Sequence, residues 1–420
     1  MSKRILFIAY FYPPLGGPGV QRPIKTIKYL KKNGYTVDVL TVSDIQFHSY
    51  DYELLKESEA DNIYRTKSLD PMSILKKVKS KKNDKEKIYF KTPERLKKVI
   101  RGLFPIDDKI GWIPFSYRKA LSLIKEKKYD CMIATIGPLS SGILAYQIHK
   151  KTKLPYYIDY RDHMTTHVYP LHIFKLLHQH AEYYEKKMQQ YAKGIFVVGD
   201  FMKDRMIKHF GDHLNDKIRV VFNGFDEDDF SEPCPKEATA HVYIRFVGNI
   251  YGHQNLKYFV KAISQMKAHN ELPDNIIFEF IGNYYLETYN LLKTKELESH
   301  INVVSQQTHK IAVRLTRSAD LLLIFLATKD QDDIIPGKLF ECIRSKNPIL
   351  AMVPVKGEVA EILRRLGHTN ICEMEDVAKI KLLLKDFFTE HKKTQYEVDS
   401  SFSRENQTKI MIDTIEADLS

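Results

Sequence analysis

Along most of the chain two hydrophobic patterns alternate. Short unbroken apolar runs, rich in β-branched and aromatic residues, fall at 5–10, 36–42, 130–135, 155–159, 194–198 and 217–222. They return at 241–247, 275–281, 301–304, 320–326 and 348–353. Runs without a polar face predict strands of a parallel sheet covered on both sides. Between them, apolar positions recur every three or four residues, which predicts helices at 20–32, 112–128, 142–150 after a turn at 136–141, 172–191, 200–210, 254–267, 308–318, 357–366, 377–388 and 403–418. Strand and helix in strict alternation predict an α/β fold of two similar halves. Residues 44–110 break the rhythm and read as an insertion. The polar, proline-containing run 226–235 marks a boundary, with domains at 1–230 and 231–400 and a final helix in 401–420.

Composition agrees with this organisation and adds a charge problem. The chain has 420 residues, 43% hydrophobic and 28% charged, enough for two ordinary domains with their own cores. The apolar run after Met1 is interrupted at once by Tyr-Phe-Tyr-Pro-Pro, too short for a signal peptide, and no later run approaches a spanning helix, so a cytoplasmic protein is expected. The four cysteines are far apart and suggest neither a zinc site nor a disulfide framework. The net charge of +12 calls for an acidic partner. Between Lys76 and Arg101 stand twelve basic residues against three acidic ones, interleaved with apolar positions. This basic insertion, 74–104, reads as an interfacial membrane segment or as a solvated helical excursion. Nucleic acid is not expected, because no zinc finger, RNP-type motif or convincing helix-turn-helix accompanies the charge.

Candidate chemistry gathers just past the predicted strands, where parallel sheets bind ligands. After the first strand comes a loop with Gly16, Gly17 and Gly19, followed by Arg22. A dinucleotide fingerprint would need Gly or Ala at position 22, so that class is disfavoured. Gly137 lies in the turn after the strand ending near 135. Asp159, Arg161, Asp162 and His163 follow the next strand, either as an acceptor site or as a structural ion-pair network. In the second half Gly248 and Asn249 close the strand carrying Arg245, and His253 follows. The segment Asp332 to Glu341 links an apolar strand to a short helix, with Pro336 suited to a first turn, Gly337 allowing close approach, and Lys338 beside the helix start.

The spacing Asp333-x7-Glu341, ahead of an apolar helix and a Pro-led strand, resembles the acidic motif of the retaining family 4 glycosyltransferases. The glycine loop at 16–19, D-x-R-D at 159–162 and N-G-x-D at 223–226 are similar to other elements of that family. The resemblance implies the GT-B fold, two Rossmann-like domains facing a central cleft, with the final helix packing back on the first domain. It implies transfer of a sugar from a nucleotide-diphosphate sugar to a glycan or lipid-linked saccharide acceptor, with retention, in cell-surface polysaccharide biosynthesis. Catalytic roles then fall to Asp333, Lys338, His163 and Asp162. Donor binding falls to Gly16, Gly17, Gly248, Asn249, His253, Arg245, Gly337, Lys338 and Glu341, with Asp333 by the sugar and Glu341 on the ribose. Arg161, Asp159 and Gly137 lie on the acceptor side. Asn249 and the His253-Gln254 pair replace the commoner Arg and Lys that clamp the diphosphate, so its charge is left to Lys338, the helix start and Arg245 or His253. No cofactor or metal is expected, since no D-x-D pair follows a strand. The rivals are a nucleotide-sugar epimerase of the same fold and a non-catalytic basic surface protein.

Overall fold

The computed structural model describes residues 3–43, 45, 47, 50–71, 102–166, 172, 174–234, 239–250, 256–327, 332–390 and 396–420. They form two compact units, residues 1–222 with 404–420, and residues 223–403.

The first domain is built on seven parallel strands: β1 (Arg4–Ile8), β2 (Thr36–Val42), β3 (Asn62–Thr66), β4 (Cys131–Ile136), β5 (Tyr156–Tyr160), β6 (Gly194–Val197) and β7 (Ile218–Val220). Their order is β3-β2-β1-β4-β5-β6-β7, with Phe7 of the central strand opposite Val39 and Ile133. The central strands are buried throughout, as their unbroken apolar sequences require. Among the described residues up to 222 the helices are α1 (Pro18–Lys32), α2 (Tyr52–Lys56), α3 (Ile113–Glu126), α4 (Leu139–Thr152), α5 (Lys175–Tyr191) and α6 (Asp200–Phe210). The sheet runs outward from β1 to β3 and restarts at β4 on the other side of β1. That reversal makes a switch point between β1 and β4.

Part of the stretch expected to stand outside the α/β rhythm belongs to it, because β3 pairs in parallel with β2, Val39 opposite Ile63. This edge strand, partly exposed, carries Asn62 and Arg65 among its five residues and so lacks the continuous apolar signature. Residues 72–101, the bulk of the basic insertion, lie outside the described residues.

The second domain repeats the design with β8 (Val242–Val247), β9 (Ile276–Ile281), β10 (Ile301–Val304), β11 (Leu321–Phe325), β12 (Ile349–Met352) and β13 (Ile371–Cys372) in the order β10-β9-β8-β11-β12-β13. All pairs are parallel, and the switch point falls between β8 and β11. Its helices are α7 (Lys257–Ala268), α8 (Leu286–Leu292), α9 (His309–Arg317), α10 (Lys338–Arg344), α11 (Glu358–Arg365) and α12 (Val377–Glu390). Phe246, Phe259, Phe278 and Phe325 form the aromatic centre of the core, with Phe246 and Phe325 centroids 5.3 Å apart.

Residues 223–230, expected with the first domain, group instead with the second. Phe225 N–H donates to the Phe402 carbonyl at 3.1 Å. The Arg344 guanidinium binds both carboxylate oxygens of Glu227 at 2.7–3.0 Å and lies over the Phe230 ring. The acidic run therefore works as a strap on this domain, its aromatic residues tucked under an arginine. The last helix, α13 (Arg404–Leu419), is part of the first domain. There Gln407 Oε1 accepts the Phe222 N–H at 2.6 Å, and Tyr157 OH donates to Asp418 at 3.0 Å.

Candidate functional site

In the first domain the polar residues past the strand ends separate into framework and candidates. Arg22 of α1 and Asp159 of β5 form a buried bidentate ion pair, Nη2 to Oδ1 at 2.6 Å and Nε to both oxygens at 2.9 and 3.0 Å. Arg22 Nη1 also donates to the carbonyls of Val221 (3.0 Å) and Phe222 (3.1 Å). One side chain thus ties α1, β5 and the segment after β7. Asp159, expected on the acceptor side, is spent on this tie, and its partner is Arg22 rather than the neighbouring Arg161.

Arg161 is likewise structural. It donates to the carbonyls of Ile136 at 3.1 Å, Gly137 at 2.5 Å and Gly19, so it closes the β1/β4 switch point from the end of β5. A Cβ on Gly19 would stand 2.4 Å, and on Gly137 2.7 Å, from the guanidinium nitrogens, and Gly137 has φ +115°. Gly137 therefore makes room for Arg161. Burial holds the Arg161 pKa below its ordinary value. Gly17, with φ 102°, starts α1, and Gly16 beside it is buried.

Asp162 is exposed and His163 is buried, with Nδ1 2.8 Å from Thr166 Oγ1. Beneath this loop lies Glu185, which the sequence reading did not single out. It is 1% exposed, and it accepts from Tyr160 OH at 2.9 Å, the Thr165 N–H at 3.1 Å and the Thr165 hydroxyl. Burial pushes its carboxyl pKa up, partly offset by these donors. The available signal was an acid on the apolar face of α5, one turn after Ala181 and three residues before Met188, both fully buried.

The second domain holds a more open arrangement at its switch point. The turn after β8 uses Gly248 at φ +138°, and the turn after β9 presses against it so closely that a Cβ on Gly282 would meet the Gly248 carbonyl at 2.2 Å. Asn249 Oδ1 accepts the Asn283 N–H at 3.0 Å, and Asn283 Nδ2 donates to Gln306 Oε1 at 2.5 Å, an amide chain across the ends of β8, β9 and β10. Asn283 and Gln306 are further polar positions past strand ends that the sequence reading passed over.

From the other side of the switch point, after β11, comes the segment Asp332–Glu341. Its loop is held by the start of α11, where Glu358 N–H donates to the Asp332 carbonyl at 2.7 Å. Asp333 is buried at 5% exposure. Gly337 is exposed with ordinary helical dihedrals, and nothing lies within 4 Å of where its Cβ would be. Its use is open space rather than a special turn. Lys338 begins α10 and crosses to β8: its ammonium sits 3.2 Å above the centre of the Phe246 ring and 3.1 Å from a Cβ built on Gly248. Among the described residues it makes no ion pair. Burial lowers its pKa to about 7, against a smaller opposing pull from Cys342 and Glu341 on the same helix. Glu341 is half-buried.

Arg245, expected to share the donor's charge, is committed elsewhere. Its Nε donates to Glu279 at 2.7 Å and its Nη1 to Ser318 Oγ at 2.7 Å and the Leu315 carbonyl at 3.1 Å. It points to α9 and β9 because those elements carry its partners. His253 lies outside the described residues. Among the described residues no three His, Cys, Asp or Glu side chains gather as a metal-binding group, and no helix is long and apolar enough to cross a membrane. What remains is a partly neutralised ammonium, open space and a carboxylate one turn along, at the sheet position where α/β domains take nucleotides. This set can hold an anion beside a hydroxyl-bearing group.

Residues 24–229 match the family model described as Glycosyltransferase Family 4. No curated protein sequence matches the chain. Among solved structures, the chain is similar to HepE from Anabaena in complex with UDP, at 13% identity and TM-score 0.63, covering 99% of this chain and 100% of that one. It is also similar to WaaG, a glycosyltransferase involved in lipopolysaccharide biosynthesis, at 15% identity and TM-score 0.56, covering 98% and 95%. A third is UDP-GlcNAc 2-epimerase from Neisseria meningitidis bound to UDP-GlcNAc, at 12% identity and TM-score 0.53, covering 99% and 100%. With these neighbours, the two parallel-sheet Rossmann-like domains of this chain are an α/β fold matching that of GT-B glycosyltransferases.

Proposed function

We propose that the chain is a retaining glycosyltransferase of hexosyltransferase type. It moves a sugar from a nucleotide-diphosphate sugar to a glycan or lipid-linked acceptor, in cell-surface polysaccharide biosynthesis. The observation that carries the reading is Lys338, a cation without a counter-ion among the described residues, placed over Gly248 at the β8/β11 switch point. A diphosphate supplies the missing charge. Glu341, one helical turn on, takes ribose hydroxyls, Gly248, Asn249 and Gly337 line the approach, and Asp333 faces the donor sugar. As the bond from the anomeric carbon to the diphosphate oxygen breaks, Lys338 stabilises the departing charge without a metal. The acceptor oxygen forms the new bond and its proton passes to the leaving phosphate. Asp162 and His163 of the first domain orient the acceptor, and the glycines at 16 and 17 admit it or the donor phosphate. HepE with UDP and WaaG as a glycosyltransferase support a nucleotide-sugar substrate. The enzyme works in the cytoplasm, held peripherally on the inner face of the cell membrane by the basic stretch 74–104.

One observation favours a second reading, a nucleotide-sugar epimerase: the similarity to the Neisseria enzyme bound to UDP-GlcNAc. Incubation of the protein with UDP-, GDP- and ADP-sugars, with and without a lipid extract as acceptor, separates the two. Free nucleoside diphosphate and an extended glycolipid are the expected products. An altered sugar still attached to its nucleotide, with no transfer, supports the epimerase instead.

A further inference from the structure

The first domain carries a surface that none of these residues uses. Among the described residues α5 begins without a side-chain cap: its N-cap residue is Phe174, and no acid stands in the first turn, which opens with Lys175. This is the wrong dressing for a helix end facing plain water, where an acid or a hydroxyl is favoured. The same end exposes large apolar side chains, Phe174 at 54% and Leu176 at 76%. Just before it, His172 is buried with its ring against the backbone of Gly102 and Ile106. That contact brings the segment holding Leu103, 55% exposed, to the start of α5. Along the helix the outer stripe continues through His180 and Tyr183 to Lys187, whose ammonium lies 5.7 Å over the Tyr183 ring.

Three exposed apolar side chains from two segments, an uncapped positive helix end and an interleaving of aromatic and basic residues ask for one kind of partner. It must accept apolar side chains and present anions at the same depth. The chain that arrives at Gly102 carries twelve basic residues against three acidic ones over 76–101. We infer that the start of α5 and Leu103 form a wedge that enters the interfacial layer of an anionic bilayer. Phe174, Leu176 and Leu103 reach the acyl boundary while Lys175 and the free N–H groups meet lipid phosphates. This deepens the membrane part of the proposed function and rests on it only for the presence of such a bilayer. Charge alone is screened by salt, whereas apolar insertion is not.

The test uses the full chain with phosphatidylcholine vesicles, with and without phosphatidylglycerol, at low salt and at about 0.5 M NaCl, where the Debye length falls to a few ångströms. Wild type is expected to co-sediment with the anionic vesicles and to keep a salt-resistant bound fraction. The double variant Phe174→Ser with Leu176→Ser should lose that fraction while melting at the wild-type temperature. In a separate variant, Leu176→Trp, the tryptophan emission should move to the blue on adding anionic vesicles. Equal salt-resistant binding by wild type and double variant, or no emission change, overturns the wedge. So does a wild-type dimer in lipid-free solution that the double variant abolishes, since the face then belongs to a second copy. Vesicle binding by a protein that binds no nucleoside diphosphate contradicts the donor reading and leaves the wedge standing.

Discussion

Lys338 sits where two opposed demands meet. Desolvation against Phe246 favours the neutral amine, and a diphosphate favours the ammonium. With its pKa brought down to about 7, the free protein carries this charge fully only below that value. Binding an anion there takes up a proton above pH 7. Affinity for a nucleotide-diphosphate sugar, whose own phosphates do not titrate in this range, should be flat below about pH 7. Above it, affinity should fall by up to about tenfold per pH unit, as a single linked proton requires. Lys338→Arg should flatten the profile, because guanidinium stays charged throughout. Calorimetric titrations from pH 6 to 9 read both curves. In the unliganded protein the same shift works on stability with the opposite slope: between about pH 7 and the ordinary lysine range the unfolded chain holds more protons, so stability rises with pH. At Asp159 the issue is framework. Asp159→Leu takes the carboxylate from the buried Arg22 guanidinium and should cost roughly 3–5 kcal/mol, while a joint Arg22→Met, Asp159→Leu replacement should cost much less. Chemical denaturation distinguishes them. A double variant as unstable as the single one would mean that the carbonyl contacts of Arg22 dominate. The sequence marked both residues as polar positions near strand ends. It held no sign that they are partners 137 positions apart, because the pairing is made by the fold.

At the scale of elements, the strands with two covered faces were readable to within a residue or two, since burial on both sides leaves an unbroken apolar run. β3 was not, because its outer edge permits Asn62 and Arg65 and erases that signature, and neither was β13, whose two residues are too short a run to read. The strap at 223–230 was misread for a related reason: an acidic, proline-flanked run looks solvated unless the arginine that covers it, Arg344, is known to lie opposite. α10 and its preceding loop were legible because Pro336, Gly337 and the apolar positions after them each suit a helix start. The division of labour along that segment gives a third prediction. Glu341→Ala, in a half-buried position on the helix, should weaken nucleoside diphosphate binding. Asp333→Ala should instead lower turnover with little change in nucleotide affinity. Wild-type affinity in the Glu341 variant would remove its ribose role, and unchanged turnover in the Asp333 variant would remove its role at the sugar.

For the whole molecule, each domain repeats one topology, and each places its switch point next to a conspicuous cation. In the first, Arg161 is consumed by three backbone carbonyls; in the second, Lys338 makes no ion pair among the described residues. That asymmetry is the ground on which the nucleotide is proposed to bind the second domain, and the proposal can be measured without knowing sugar or acceptor. Full-length protein is titrated with UDP, GDP and ADP, and Lys338→Ala with whichever binds best. One nucleotide should bind saturably, and losing a charge-assisted contact worth roughly 1.5–3 kcal/mol should weaken it about ten- to a hundredfold. Equal affinity for wild type and Lys338→Ala, or no binding of any of the three, would contradict a donor site at the β8/β11 switch point.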